Sequence, residues 1–358
     1  MPVEGSPQHK HDEFSGRRAR RLNSNAAVQI ADAARKIVAI VSTLTSRLGI
    51  THPLLLAPMA NVAGGHLAAA VSRAGGLGLI GAGYGDPEWL GAQLACAEEA
   101  SVGVGFITWR LDQLAQVLDF ALAASPRAVL LSFGDITPYV ARIHAAGAVV
   151  IAQVQSVRQA DAAAAAGADV LVAQGSDAGG HAGMRGTLAL VPAVVDAVGA
   201  LPVVAAGGIA DARGIAAAFM LGAVGVMLGS RFYASREALA HPNAQQAVLR
   251  AIGDDTVRGA VFDRLRGWAW PAAYSLRTLG NTMTARWPAQ ADGLEQRLAA
   301  EQAAFETAVA RGDTQVAPVI IGEAVDLLHD LPPAGEIVSR LMAQTEELLL
   351  AAGQRVRV

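Results

Sequence analysis

From residue 54 to about 230 the chain alternates short, unbroken apolar runs with alanine-rich stretches that read as helices. The apolar runs begin at Leu54 (LLLAPMA), Leu77 (LGLIGAG), Val102 (VGVGFI), Ala128 (AVLLSF), Val149 (VVIAQV), Val170 (VLVAQG), Pro202 (PVVAAGG) and Gly225 (GVMLGS). Runs of this length without polar alternation suit strands buried on both faces, as in a parallel sheet. Glycine stops such as Gly147, Gly167 and Gly222 end the helical stretches before the next strand. Eight strand–helix units describe an α/β fold, a (β/α)8 TIM barrel. An open doubly wound sheet has the same alternation, and the count of eight favours the barrel.

Successive runs start 23, 25, 26, 21, 21, 32 and 23 residues apart. The long interval follows the sixth strand and contains the glycine-rich stretch 174–186. Barrel active sites are built from loops after the strands, so this enlarged loop is the first place to look for chemistry.

Past Ser230 the period is lost. Residues 295–311 read as an amphipathic helix with Leu294, Leu298, Phe305 and Val309 on one face, and 336–350 as a second, with Ile337, Leu341, Leu348 and Leu349, stopping at Gly353. The organisation expected is a disordered extension over 1–40, a barrel over 41–235, a helical addition over 236–335 and a terminal helix packed on the barrel over 336–358. The addition, with Trp268, Trp270, Tyr274 and Trp287, is a lid over the barrel mouth or a structural or dimer-forming cap.

Composition narrows the chemistry. The only lysines are Lys10 and Lys36, so the barrel has no amine for a Schiff base or a pyridoxal-phosphate linkage. Cys96 is the single cysteine, which excludes an intrachain disulfide and a multi-cysteine metal site and suits a reduced, cytoplasmic setting. A net charge of −3 gives no reason to expect nucleic acid or an anionic membrane as partner. No apolar run is long enough to span a bilayer. Arg17, Arg18, Arg20 and Arg21 suggest an export signal, but Asp32, Arg35 and Lys36 interrupt the apolar core it needs, and His9 with His11 makes a weak metal site. A solvated tail is expected.

Strands seven and eight both end in glycine turns, Ala206-Gly207-Gly208-Ile209 and Leu228-Gly229-Ser230-Arg231. In barrels, backbone N–H groups at these two positions commonly hold a phosphate; tight strand–helix turns alone would also use glycine. Asp211 is placed to cap the next helix. Among the eight histidines, His181 stands apart, following Gly179-Gly180 in the enlarged loop, where it is a candidate general base or hydrogen-bond donor. No His-x-His follows strand one and no carboxylate cluster gathers at the strand ends, so no metal is expected. Difficult chemistry in this barrel would need a cofactor.

Ala57-Pro58-Met59-Ala60, Ala74-Gly75-Gly76-Leu77-Gly78, Ser132-Phe133-Gly134-Asp135, Gln174-Gly175-Ser176-Asp177-Ala178-Gly179-Gly180-His181, Ala206-Gly207-Gly208-Ile209-Ala210-Asp211 and Gly229-Ser230-Arg231-Phe232 together resemble the nitronate monooxygenase (2-nitropropane dioxygenase) family. The likeness runs from about Thr45 to the C-terminus, and the Ala-Gly-Gly-His motif is its most specific part. The resemblance implies bound FMN, its phosphate on backbone groups at Gly207, Gly208, Met227, Leu228, Gly229 and Ser230. Gln174, Gly179 and Gly180 would lie along the cofactor, with the Pro58-Met59 turn against the isoalloxazine and His181 as the catalytic residue near its reactive face. Tyr84, Trp109, Arg110 and Phe133, which follow strands two, three and four, are added as substrate-pocket candidates.

Three positions depart from the family: Gly105 where Asn is common, Asp177 where Glu is common, and Ala182 where Arg is frequent. The implied reaction is oxidation of alkyl nitronates such as propionate 3-nitronate with O2, giving a carbonyl compound and nitrite or nitrate; a homodimer is the assembly considered. Two alternatives stand beside it. One is an FMN-dependent NAD(P)H oxidoreductase of the enoyl-acyl-carrier-protein or quinone reductase type, and the other a flavin-free barrel that binds a phosphorylated metabolite.

Overall fold

A computed structural model describes residues 40–114, 116–288 and 291–353. The extension expected over 1–40, with both lysines, the arginine cluster, His9 and His11, lies outside the described residues except for Ile40.

All eight expected strands are present, each starting within two residues of its apolar run. They are β1 (Leu54–Leu56), β2 (Leu79–Gly83), β3 (Gly103–Ile107), β4 (Ala128–Ser132), β5 (Val149–Val154), β6 (Val170–Gln174), β8 (Val203–Ala206) and β9 (Gly225–Leu228); a short β7 (Gly180–Ala182) belongs elsewhere. The parallel order β1-β9-β8-β6-β5-β4-β3-β2 runs round a ring. A bridge between Leu55 and Leu77 joins its two ends, so the barrel closes.

The runs are unbroken because alternate residues are buried on opposite sides. Leu55, Leu130, Ile151, Val172, Val204 and Met227 fill the interior. Val129, Leu131, Val150, Leu171 and Val203 pack outward beneath the helices. Each such side chain contributes about 1.5–3 kcal/mol by leaving water. The helix Thr43–Leu48 sends Leu44 and Leu48 into the interior cluster. Arg127, just ahead of β4, donates to the Leu48 carbonyl at 2.6 Å, and Arg47 pairs at 3.0 Å with Asp169, just ahead of β6. This helix therefore plugs the end where the strands begin.

The C-terminal region is helical, as expected, and it also carries two strands that the apolar pattern did not disclose. β10 (Thr256–Gly259) and β11 (Ser275–Leu279) pair antiparallel, and β11 pairs in turn with β7. The enlarged loop after β6 thus holds a strand, in register Ser275 to Ala182, Leu276 to His181 and Arg277 to Gly180. The helix Leu298–Arg311 follows a 3-10 turn over Leu294–Arg297 and buries Phe305, but Val309, assigned to its apolar face, is exposed. The helix Ala334–Gly353 inserts Ile337, Val338, Leu341 and Met342 into the outer barrel core. Among the described residues, no helix is long and apolar enough to cross a membrane.

Candidate functional site

The C-terminal ends of the strands open into a cavity of about 220 Å3, floored by the barrel and walled by the 266–276 and 320–324 segments. Pro58 and Met59 line it after β1, Tyr84 after β2, Phe133 after β4, and Gln174 at the end of β6. Gln174 Oε1 accepts from Gln153 Nε2 at 3.0 Å and from Gln155 Nε2 at 2.9 Å. With its carbonyl occupied twice, Gln174 keeps its amide N–H as the group it can offer a ligand.

Gly207, Gly208, Gly229 and Ser230 bring bare backbone to the same cavity. Gly208 has φ +67°, and a Cβ there would lie 2.8 Å from Cβ of Asp177, so a side chain would be both strained and crowded. Asp177 is itself committed, its carboxylate accepting from the Thr187 N–H at 2.6 Å where the helix Thr187–Val198 begins. Ser230 Oγ accepts from the Gly322 N–H at 3.0 Å, which pins the 320–324 wall and leaves the hydroxyl hydrogen available. Met227 lines the cavity as well. Leu228 does not: its side chain is buried in the barrel's outer core and its carbonyl accepts from the Ala57 N–H at 2.9 Å.

The departures from the family acquire reasons. A Cβ on Gly105 would lie 2.3 Å from Cβ and Cγ of Pro58, so the Pro58 ring occupies the space an asparagine would need. Ala182 is completely buried and paired with Ser275, which leaves no room for arginine.

His181 sits on β7, held there by the β7–β11 ladder. Its Nε2 lies 2.8 Å from Oδ2 of Asp263, with both side chains over nine-tenths buried. A carboxylate only accepts, so Nε2 carries the hydrogen and Nδ1 is left with a lone pair. Burial lowers the His181 pKa below the ordinary imidazole value; the Asp263 contact opposes this, while the charges of Arg266 and Arg258 reinforce it. The ring is therefore neutral near pH 7. Trp270 stacks on it at 3.4 Å between centroids and 9° between planes, fixing its orientation.

An aromatic wall continues from that stack. Trp270 Nε1 donates to the Tyr84 hydroxyl at 3.3 Å, and Tyr84 stacks on Trp268 at 3.4 Å. The Arg266 guanidinium lies 4.9 Å from the Trp268 ring centre. Phe133 meets Trp270 and Tyr274 edge-on, at 5.0 Å each, with its backbone at φ +64°.

Trp109 and Arg110 do not line the cavity. They stand behind it: Trp109 packs edge-on against Trp270 at 5.4 Å, and Arg110 Nε donates to the Tyr84 carbonyl at 3.2 Å. Sequence reasoning missed Gln153, Asp263 and Arg266, and it placed Trp268 and Trp270 in the addition over the mouth without counting them among the pocket residues. One signal was present, since two of the chain's five tryptophans fall within three positions of each other beside an arginine.

The nitronate monooxygenase family model matches residues 41–103 and 95–344. The nitronate monooxygenase npaC of Metarhizium robertsii is 37% identical over 340 residues, 83% of this chain and 92% of its own. FabK from Thermotoga maritima superposes with a TM-score of 0.77 at 30% identity, over 88% of this chain and 100% of its own. A nitroalkane oxidase from Streptomyces ansochromogenes gives a TM-score of 0.72 at 27% identity, over 87% and 100%. Enzymes of this kind are flavin-dependent oxidoreductases. By family model and by sequence identity along most of its length, the chain belongs to the nitronate monooxygenase family.

Proposed function

We propose that this chain is an FMN-dependent nitronate monooxygenase, oxidising alkyl nitronates such as propionate 3-nitronate with O2 to a carbonyl compound and nitrite or nitrate. The observation that carries the reading is the buried His181–Asp263 pair on the same cavity as the glycine turns after β8 and β9. Those turns fit the FMN phosphate, because the backbone at Gly208 lies where a Cβ would collide and Ser230 keeps a hydroxyl hydrogen. Gly207, Gly229 and the backbone of Met227 would complete that contact. Pro58, Met59, Gln174, Gly179 and Gly180 would hold the isoalloxazine, with Gln174 donating from its amide. When bound there, FMN would supply the means of oxidising the nitronate at the expense of O2.

The residues themselves have two tasks. Toward a neutral nitroalkane, His181 Nδ1 takes the α-proton while Asp263 stabilises the imidazolium that results. Toward a nitronate, which has already lost that proton, a neutral His181 has no hydrogen to offer at Nδ1. It donates there only when protonated, so the two substrates call for opposite forms of one ring. Trp270 and Phe133 exclude water from the reacting carbon and hold the ring in place.

The test is an anaerobic titration of the holoenzyme with propionate 3-nitronate, followed by visible absorption. Loss of the oxidised-flavin bands on adding nitronate, with no loss on adding NADH, is the expected result. Bands that ignore nitronate and bleach rapidly with NADH would transfer the chain to the NAD(P)H-dependent oxidoreductases.

A further inference from the structure

The chain has four tyrosines, and three of them use their hydroxyl groups inside the protein. Tyr84 accepts from Trp270 Nε1 at 3.3 Å, Tyr274 accepts from Gln159 Nε2 at 2.7 Å, and Tyr139 donates to the Asp112 carboxylate. Tyr233 is the exception. Its backbone carbonyl accepts from Gln245 Nε2 at 3.3 Å, but its hydroxyl takes part in no hydrogen bond among the described residues. Tyr233 is only 6% exposed, and it lines the cavity. A buried hydroxyl left unpaired destabilises the fold, and phenylalanine would fill the same space without that penalty.

The place of this hydroxyl along the cavity says what it meets. Tyr233 ends the short helix Ser230–Tyr233, three residues after Ser230, which puts the two side chains on the same side of the helix. Its ring belongs to the apolar cluster of Ala210, Val319 and Ile321, against which Met59 packs. Ala210 follows the Gly207-Gly208 turn after β8, and Ile321 adjoins Gly322, whose N–H donates to Ser230 Oγ. The phenol therefore lies at the end of the cavity where the glycine turns after β8 and β9 come together. Among the described residues no lysine or arginine lines that end; Arg266, the cavity's one arginine, lies against Trp268 in the aromatic wall. An anion bound at the turns is thus held by neutral donors, and each of them matters. Burial alone pushes the Tyr233 pKa up to about 12, so the phenol keeps its hydrogen at neutral pH and offers it as a donor.

We infer that the Tyr233 hydroxyl is a further cofactor-binding group, which donates, together with Ser230, a hydrogen bond to the phosphate of FMN and so lets the site tell FMN from riboflavin. A hydrogen bond from a neutral hydroxyl to a phosphate oxygen is charge-assisted, and so stronger than one between neutral groups. Backbone N–H groups at glycine turns are common to many barrels. Tyr233 adds to them a side-chain donor that such turns do not supply. The inference rests on the FMN reading of the site and not on the identity of the oxidised substrate.

The test is a binding measurement that needs no turnover. The full chain, freed of flavin by dialysis against concentrated bromide, is titrated with FMN and with riboflavin, and binding is read from the flavin fluorescence. The wild type should bind FMN more tightly than riboflavin. Tyr233→Phe, which removes one oxygen and keeps the ring, should weaken FMN by about tenfold to a hundredfold and leave riboflavin within about twofold. The phosphorus resonance of bound FMN should also shift between wild type and variant, since the bond to the phosphate is gone. Unchanged FMN affinity in Tyr233→Phe overturns the assignment. Equal losses for the two flavins also overturn it, because Tyr233 would then support the ring system rather than the phosphate. So does a flavin-free variant that melts well below the wild type, because the hydroxyl would then have a structural partner. In each of these cases a wild-type preference for FMN leaves the FMN reading standing. If the wild type binds both flavins equally, the phosphate is not held at these turns, and the FMN reading and the inference fall together.

Discussion

At the scale of single residues, the orientation of His181 depends on Asp263, which accepts from Nε2 at 2.8 Å. Asp263→Asn keeps the shape but can offer Nε2 an amide N–H, which moves the ring hydrogen to Nδ1 and removes the base. The expected outcome is a fall of about a hundredfold or more in kcat for a neutral nitroalkane, with a much smaller loss for the nitronate. Because burial lowers the His181 pKa, nitroalkane kcat/KM in the wild type should rise with pH to a half-maximum below the ordinary value of about 6.5 and then level off. A half-maximum above that value would mean that the Asp263 contact outweighs desolvation. At Gly105, substitution by the family's asparagine should force the Pro58 ring aside and lower stability by about 1–3 kcal/mol, read as a drop in thermal midpoint. His181 was legible from its place after two glycines, whereas Asp263 lies 82 positions away and no local pattern links the pair. Trp109 and Arg110 show the converse: following a strand put them near the mouth, yet one turn of helix, Thr108–Leu111, carried them behind its wall.

Between elements, the decisive contact is the ladder that joins β7 to β11. Three residues make a marginal strand, and β7 exists because β11 and the arginines behind it hold it. Arg258 and Arg277 stand opposite each other across β10 and β11, and both donate to the Ser176 carbonyl in the loop that leads to His181. Burial, with Arg277 nearby, pushes the Arg258 pKa down to about 10. Arg258→Met should therefore leave the barrel strands intact while amide hydrogens at 175–182 exchange at least tenfold faster. It should also move the nitroalkane pH midpoint upward, since the Arg258 charge opposes protonation of His181. The barrel strands were readable because burial on both faces leaves an uninterrupted apolar signature. β10 (Thr256–Gly259) and β11 (Ser275–Leu279) were not, because TVRG and SLRTL carry arginines that pair with backbone and carboxylate groups rather than with water.

For the molecule as a whole, the site collects residues from Ala57 to Ala324, so a ligand in the cavity ties the barrel to the segments that cover it. FMN at a hundredfold excess over its Kd should stabilise the folded chain by about 2.7 kcal/mol, visible as a rise in thermal midpoint that scales with added FMN. Removing the flavin should expose the 260–280 segment to proteolysis before the barrel is cut. The plug made by the helix Thr43–Leu48 has a separate consequence. It sets the exposed side of that helix at the end opposite the mouth. A tether attached at the exposed Ser46 would therefore hold each molecule by its closed end and leave the open ends facing the solution.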